Sequence, residues 1–160
     1  MKRGSALKLI SGSFGAVNRC CPQRAHGRNP DTSVLIAAER HDTALSHLVR
    51  DRETEPFGLS VIVSELLHGV YRALSEKTRL KREAFVESVI TAFPVYPFDL
   101  TSSRIYARIW ATLVKKGIRV GAHDLIIAST AIALGFSVAT FDLRDYKKIP
   151  ELVIESIGEL

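Results

Sequence analysis

Apolar positions along this chain fall into short runs whose spacing switches repeatedly between helical and strand-like. The densest run, Leu125-Ile126-Ile127-Ala128 with Ala131, Ile132 and Leu134, is apolar on nearly every face. It predicts a central, well-covered helix over 123–134, with Gly135 placed to stop it in a left-handed conformation. Residues 136–141 then read as a short buried strand ending on Asp142. Upstream, Val34, Leu35 and Ala38 give one apolar face to a helix capped by Asp31 or Ser33 and running to about Arg40. Asp42 can cap a second helix, with Leu45, Leu48 and Val49 inward, and 53–56 is a polar turn. Residues 57–63 are β-branched and apolar, a strand that passes directly into a helix with Leu66, Leu67, Val70 and Leu74 on one side.

An amphipathic helix follows over 76–92, with Leu80, Ala84, Val86, Val89 and Ile90 inward. Residues 93–98 are strand-like, but Pro94 and Pro97 push them to a sheet edge or an extended connector. Thr101 or Ser102 starts a helix whose stripe of Ile105, Tyr106, Ile109, Trp110 and Leu113 reads as core, closed by Gly117. Residues 152–155 form a last short strand. Strands alternating with helices in this way argue for an α/β fold on a parallel sheet.

The first thirty residues break the pattern. They carry six bases, no acid, four glycines and two prolines. We read them as a basic, mostly unstructured or atypical N-terminal extension (1–30) ahead of one folded domain (31–160). Residues 25–30 make a poor strand, because Pro30 cannot donate to a ladder. This split changes the meaning of the net charge of +5: residues 31–160 hold sixteen bases and seventeen acids, so the folded part is close to neutral. Any nucleic-acid binding must then come from local basic patches. Cys20 and Cys21 are adjacent and without a second Cys/His pair, which reads as two reduced thiols and no zinc site. No apolar run reaches the length of a membrane span, and the expected location is the cytoplasm.

Four acids stand at element junctions. Asp31, Glu65 and Asp124 open helices, and Asp142 ends a strand. In a parallel sheet the carboxyl ends of the strands share one edge, where sites form. One acid in a first turn is ordinarily a cap or dipole partner. Four brought together are another matter: two carboxylates about 5 Å apart repel by roughly 3 kcal/mol at an effective dielectric of about 20. Oxygen-ligated hard cations, Mg²⁺ or Mn²⁺, remove that repulsion. Such a site suits metal-assisted hydrolysis, and no convincing Ser/His/Asp or Cys/His set competes with it.

The stretches Asp31-Thr32-Ser33-Val34-Leu35-Ile36-Ala37-Ala38-Glu39, Val63-Ser64-Glu65-Leu66-Leu67-His68-Gly69-Val70, Gly121-Ala122-His123-Asp124-Leu125-Ile126-Ile127-Ala128 and Ala139-Thr140-Phe141-Asp142-Leu143-Arg144-Asp145-Tyr146 together resemble PIN-domain ribonucleases, most closely the VapC-type toxins of toxin–antitoxin modules. The resemblance implies a three-layer α/β/α fold around a parallel sheet and a Mg²⁺- or Mn²⁺-dependent endoribonuclease. It also implies a homodimer and a cognate antitoxin that blocks the site. By position, Asp31, Glu65, Asp124 and Asp142 match the acidic quartet, with Asp145 as a further ligand or support. Thr32, Ser33 and Thr140 match polar residues of the pocket. His68 and His123 beside the acids read as hydrogen-bonded structural histidines. Arg104 and Arg108, one helical turn apart, with Lys115, Lys116 and Arg119, could meet an RNA backbone. Two alternatives stay open: a catalytically impaired antitoxin-binding module whose first strand is degraded, and a PIN nuclease with no antitoxin.

Overall fold

The computed structural model describes residues 27–40, 58–59 and 61–156. The helix expected after Asp42, the turn at 53–56 and residues 1–26 of the basic head lie outside the described residues. Three parallel strands form the sheet: β1 (Arg28–Pro30), β2 (Ser137–Thr140) and β3 (Ile154–Ser156), in the order β1-β2-β3. In register, Arg28, Asn29 and Pro30 stand opposite Ser137, Val138 and Ala139. Beyond β1, the Gly58 N–H donates to the Arg28 carbonyl (2.9 Å), and Leu59 forms a parallel bridge with Val95.

The segment before Asp31 is therefore a strand, contrary to the reading of its sequence. Hydrogen bonding explains how Pro30 is accommodated. The Asp31 N–H donates to the Ala139 carbonyl (2.8 Å). Successive N–H groups of a parallel strand face opposite neighbours, so position 30 faces away from β2. Proline there removes no bond of the β1–β2 ladder. The missing donor falls on the Gly58–Leu59 side.

The helices are α1 (Thr32–Arg40), α2 (Ile62–Tyr71), α3 (Glu76–Ala92), α4 (Leu100–Lys115), α5 (Ala122–Leu134) and the one-turn α6 (Leu143–Tyr146). Both α1 and α5 pack on β1 and β2, α3 packs on α2, and α4 packs on α5. Ser75 and Asp99 cap α3 and α4 with their side chains, so α4 begins slightly before the expected Thr101 or Ser102. Gly135 (φ 69°) ends α5 in the left-handed region, as its position predicts. The core joins Val34 and Leu35 of α1, Ile62 of α2, Ile127 and Ala128 of α5 and Val138 of β2.

Three expectations need correction. Among the described residues the apolar run at 57–63 forms no strand: Gly58 bonds to β1, Leu59 makes one isolated bridge, and helix α2 already starts at Ile62. In α3, Leu80 and Ala84 stay exposed, since that helix packs chiefly on α2 and buries Val86 and Val89. In α4, Ile109 and Leu113 face α5 while Trp110 stands 55% exposed, off the buried line. Among the described residues no helix is long and apolar enough to cross a membrane.

Gly58, beside β1, leaves no room for a side chain. A Cβ built there would overlap the Tyr96 ring, 2.6 Å from Cδ2, and that ring is held edge-on against Phe136. Gly58→Ala is expected to cost about 1–3 kcal/mol through overpacking, read as a lower urea midpoint at unchanged slope.

Candidate active site

Asp31 leaves the end of β1 and starts α1, and its side chain is 9% exposed. Four donors meet it. The Thr32 N–H (2.7 Å) and the Tyr146 hydroxyl (3.2 Å) donate to Oδ1, and the Ser33 and Thr140 hydroxyls (both 3.0 Å) donate to Oδ2. An ionised carboxylate offers about four acceptor sites, so all are used. Thr32, Ser33 and Thr140 thus act on the same carboxylate. Tyr146 was not anticipated. The signal was available: a buried tyrosine, unlike a phenylalanine, needs a partner for its hydroxyl. Burial first, and the Asp31 charge second, push its phenol pKa far above the ordinary range, so it remains a donor.

Glu65 stands in the first turn of α2 and is linked to the same centre through Thr32, whose hydroxyl donates to Glu65 Oε2. His123 Nδ1 meets Glu65 Oε1 at 2.5 Å, so His123 is hydrogen-bonded as expected. His68 is not: it is exposed and makes no side-chain hydrogen bond among the described residues.

Asp124 lies in the first turn of α5, after Gly121 at the cap, and a Cβ at 121 would come within 2.8 Å of Asp124 Oδ2. Its carboxylate has no hydrogen bond or ion pair among the described residues. Its pKa is raised above the usual carboxylate value by burial first, then by the charges of Asp31, Asp145, Glu65 and Asp142. The acids therefore share one field. Asp142 caps α6, accepting from the Arg144 N–H (3.0 Å). Asp145 binds Lys148, which holds its carboxyl below the usual range.

Among the described residues, no three His, Cys, Asp or Glu side chains are arranged as a ready cation cage. The reason is visible in the pairings: Glu65 leans on His123 and Thr32, and Asp145 on Lys148. The donor chemistry nevertheless fits a divalent cation. It is all carboxylate oxygen, in excess negative charge, with Asp124 left uncompensated.

The candidate RNA contacts differ from one another. Arg104 is exposed on α4, whereas Arg108 is bound bidentately to Glu151 (2.9 and 3.1 Å). A cleft of about 800 Å³ opens beside the acids, with Thr32, Glu65 and His123 at one end and His68, Arg72 and Arg82 in its lining. The two arginines in this cleft were not singled out from the sequence.

The family model described as "PIN domain" matches residues 30–152. Ribonuclease VapC1 of Rickettsia felis is 36% identical over 132 residues, covering 80% of this chain and 94% of that protein. A DNA-bound VapBC structure from Salmonella typhimurium superposes with a TM-score of 0.73 at 26% identity, covering 81% of this chain and 97% of that one. VapBC2 of Rickettsia felis, bound to a promoter DNA fragment, shares the fold with a TM-score of 0.74 at 21% identity, covering 82% and 98%. The chain belongs to the PIN-domain family, among its VapC ribonucleases.

Proposed function

We propose that this protein is a divalent-cation-dependent endoribonuclease toxin that hydrolyses RNA phosphodiester bonds and is inhibited by a cognate antitoxin. The observation that carries the reading is Asp124, half-buried and within the field of four like charges, with no compensating donor among the described residues. Glu65 and Asp124 would hold Mg²⁺ or Mn²⁺, Asp31 would join them by giving up one of its four protein donors, and Asp142 and Asp145 stand at the margin as ligands or supports. A cation bound there supplies a water of lowered pKa and screens charge developing on the phosphate.

The chain's own residues do the positioning. Thr140, Ser33, Tyr146 and the Thr32 N–H fix the orientation of the Asp31 carboxylate before substrate arrives. Thr32 and His123 hold the two oxygens of Glu65 from opposite partners. The antitoxin enters from the relatives, which are solved as VapBC assemblies. A homodimer would cover Trp110 and Val114, both exposed on α4. Cytoplasmic action follows from the RNA substrate. The alternative of an impaired binding module relied on a degraded first strand, and β1 is formed and paired.

Asp124→Asn is expected to abolish cleavage of single-stranded RNA in Mg²⁺ or Mn²⁺, measured on gels. Undiminished cleavage by the variant would overturn the mechanism. The same substitution has a stability consequence of opposite sign. A carboxyl whose pKa is raised by folding binds its proton more tightly in the folded state, so stability falls as pH climbs from the ordinary carboxylate range through the raised value. In EDTA at neutral pH, Asp124→Asn should therefore melt above wild type. Added Mg²⁺ should raise the wild-type melting temperature and leave the variant nearly unmoved.

Tyr146→Phe keeps the ring and removes one donor from a buried charge. We expect a loss of about 1–3 kcal/mol in urea unfolding at neutral pH.

A further inference from the structure

The cleft beside the acids has an architecture that the positions of the acids do not require. Glu65, His68 and Arg72 lie three, four and seven residues apart on α2, so they form one stripe along that helix. Seven residues at 1.5 Å rise place Arg72 about 10 Å from Glu65, two turns outward from the acids. Arg72 is exposed at the end of α2 and has no side-chain partner among the described residues. Arg82 approaches the same cleft from α3. Its Nη1 donates to the Gly69 carbonyl (3.0 Å) and its Nε pairs with Glu39 (3.4 Å), which leaves Nη2 without a partner among the described residues. One wall of the cleft thus runs from the Glu65 carboxylate to two guanidinium groups, one of them paired with Glu39.

We infer that the Arg72–Arg82 end of this cleft is a phosphate subsite for single-stranded RNA, holding the backbone a few nucleotides from the bond that is cut. This rests on the ribonuclease reading given above. A stacked strand advances about 3.4 Å per nucleotide, so the 10 Å between Glu65 and Arg72 corresponds to roughly three nucleotides, fewer in an extended strand. Guanidinium suits the task, because its planar fork matches two phosphate oxygens at once. Glu39 and the Gly69 carbonyl hold Arg82 in place, so it presents a fixed donor, while Arg72 can follow the strand. The arrangement also addresses the repulsion that a cluster of carboxylates exerts on any polyanion. Attraction at the far end of the cleft offsets that repulsion, so the strand can lie across the acids in one register.

The test uses the full chain in an Asp124→Asn background, which on the reading above leaves RNA whole. The probe is a fluorescein-labelled, non-pairing RNA of about ten nucleotides. Its Kd is measured by anisotropy across a salt series. Each phosphate contact on a single strand contributes about 0.7 to the slope of log K against log salt. Arg72→Ala should weaken binding several-fold at low salt and reduce that slope by about 0.7, and Arg72→Lys should recover the slope. The Lys variant separates charge from folding, because a merely structural role would not return the salt dependence. If Arg72→Ala keeps the parent slope and affinity while the otherwise unmutated protein cuts the same RNA, this inference alone falls. If the protein neither binds nor cuts the RNA, the ribonuclease reading falls with it. If RNA binding is unmoved by Arg72→Ala but a poly-glutamate peptide loses affinity, the cleft takes an acidic protein segment and the subsite is overturned.

Discussion

A nearly buried carboxylate with all of its lone pairs occupied holds this structure together where its function resides. Burying an ionised Asp costs several kcal/mol unless hydrogen bonds replace its water. Asp31 meets that condition with donors from three separate segments: the start of α1, the end of β2 and the end of α6. The strand ends and helix starts that build the sheet's carboxyl edge are therefore fixed relative to one another by the same bonds that orient the acid. Stability and site geometry share one set of contacts here.

Asp124 shows the opposite solution a short distance away. Its carboxyl is half-buried and feels the other acids, yet no donor among the described residues relieves it. One acid is satisfied by the protein and the other is left in excess. On the proposed reading, that asymmetry is what a divalent cation would relieve, and without one it costs stability. Such local cost at a working site is common where selection favours activity over maximal stability. It is borne by a core that runs without interruption from α1 through β2 to α5.

Charge along the cleft extends this logic outward. The folded part is close to neutral, so the positive groups near the acids matter by position and not by number. Arg82 is tied to Glu39 and to the backbone at Gly69, while Arg108 is spent on Glu151. Two arginines of the same formal charge thus have different capacities to meet a polyanion. Their partners decide this, and the carboxylate partner is 43 residues away in each case.

Much of the fold was legible in the order of residues. Helices α1 and α5 follow from apolar spacing and from end signals that act within a few residues, such as Gly135. The junction acids and their polar neighbours could also be picked out, because a carboxylate at the start of an apolar helix is locally anomalous. Other features were not legible, since they depend on what lies across the sheet. Arg28-Asn29-Pro30 has no strand propensity of its own and forms β1 because Ser137, Val138 and Ala139 stand beside it. Trp110 sits at core spacing but faces outward, because α4 presents only one line of residues to α5. Tyr146 and the two arginines of the cleft acquire their roles from partners or neighbours that tertiary folding supplies. Local spacing determined which elements form and where the acids start them, since those forces act over one or two turns. Only the folded chain decided which carboxylate has its lone pairs satisfied and which does not, because that balance is set by groups more than a hundred residues apart.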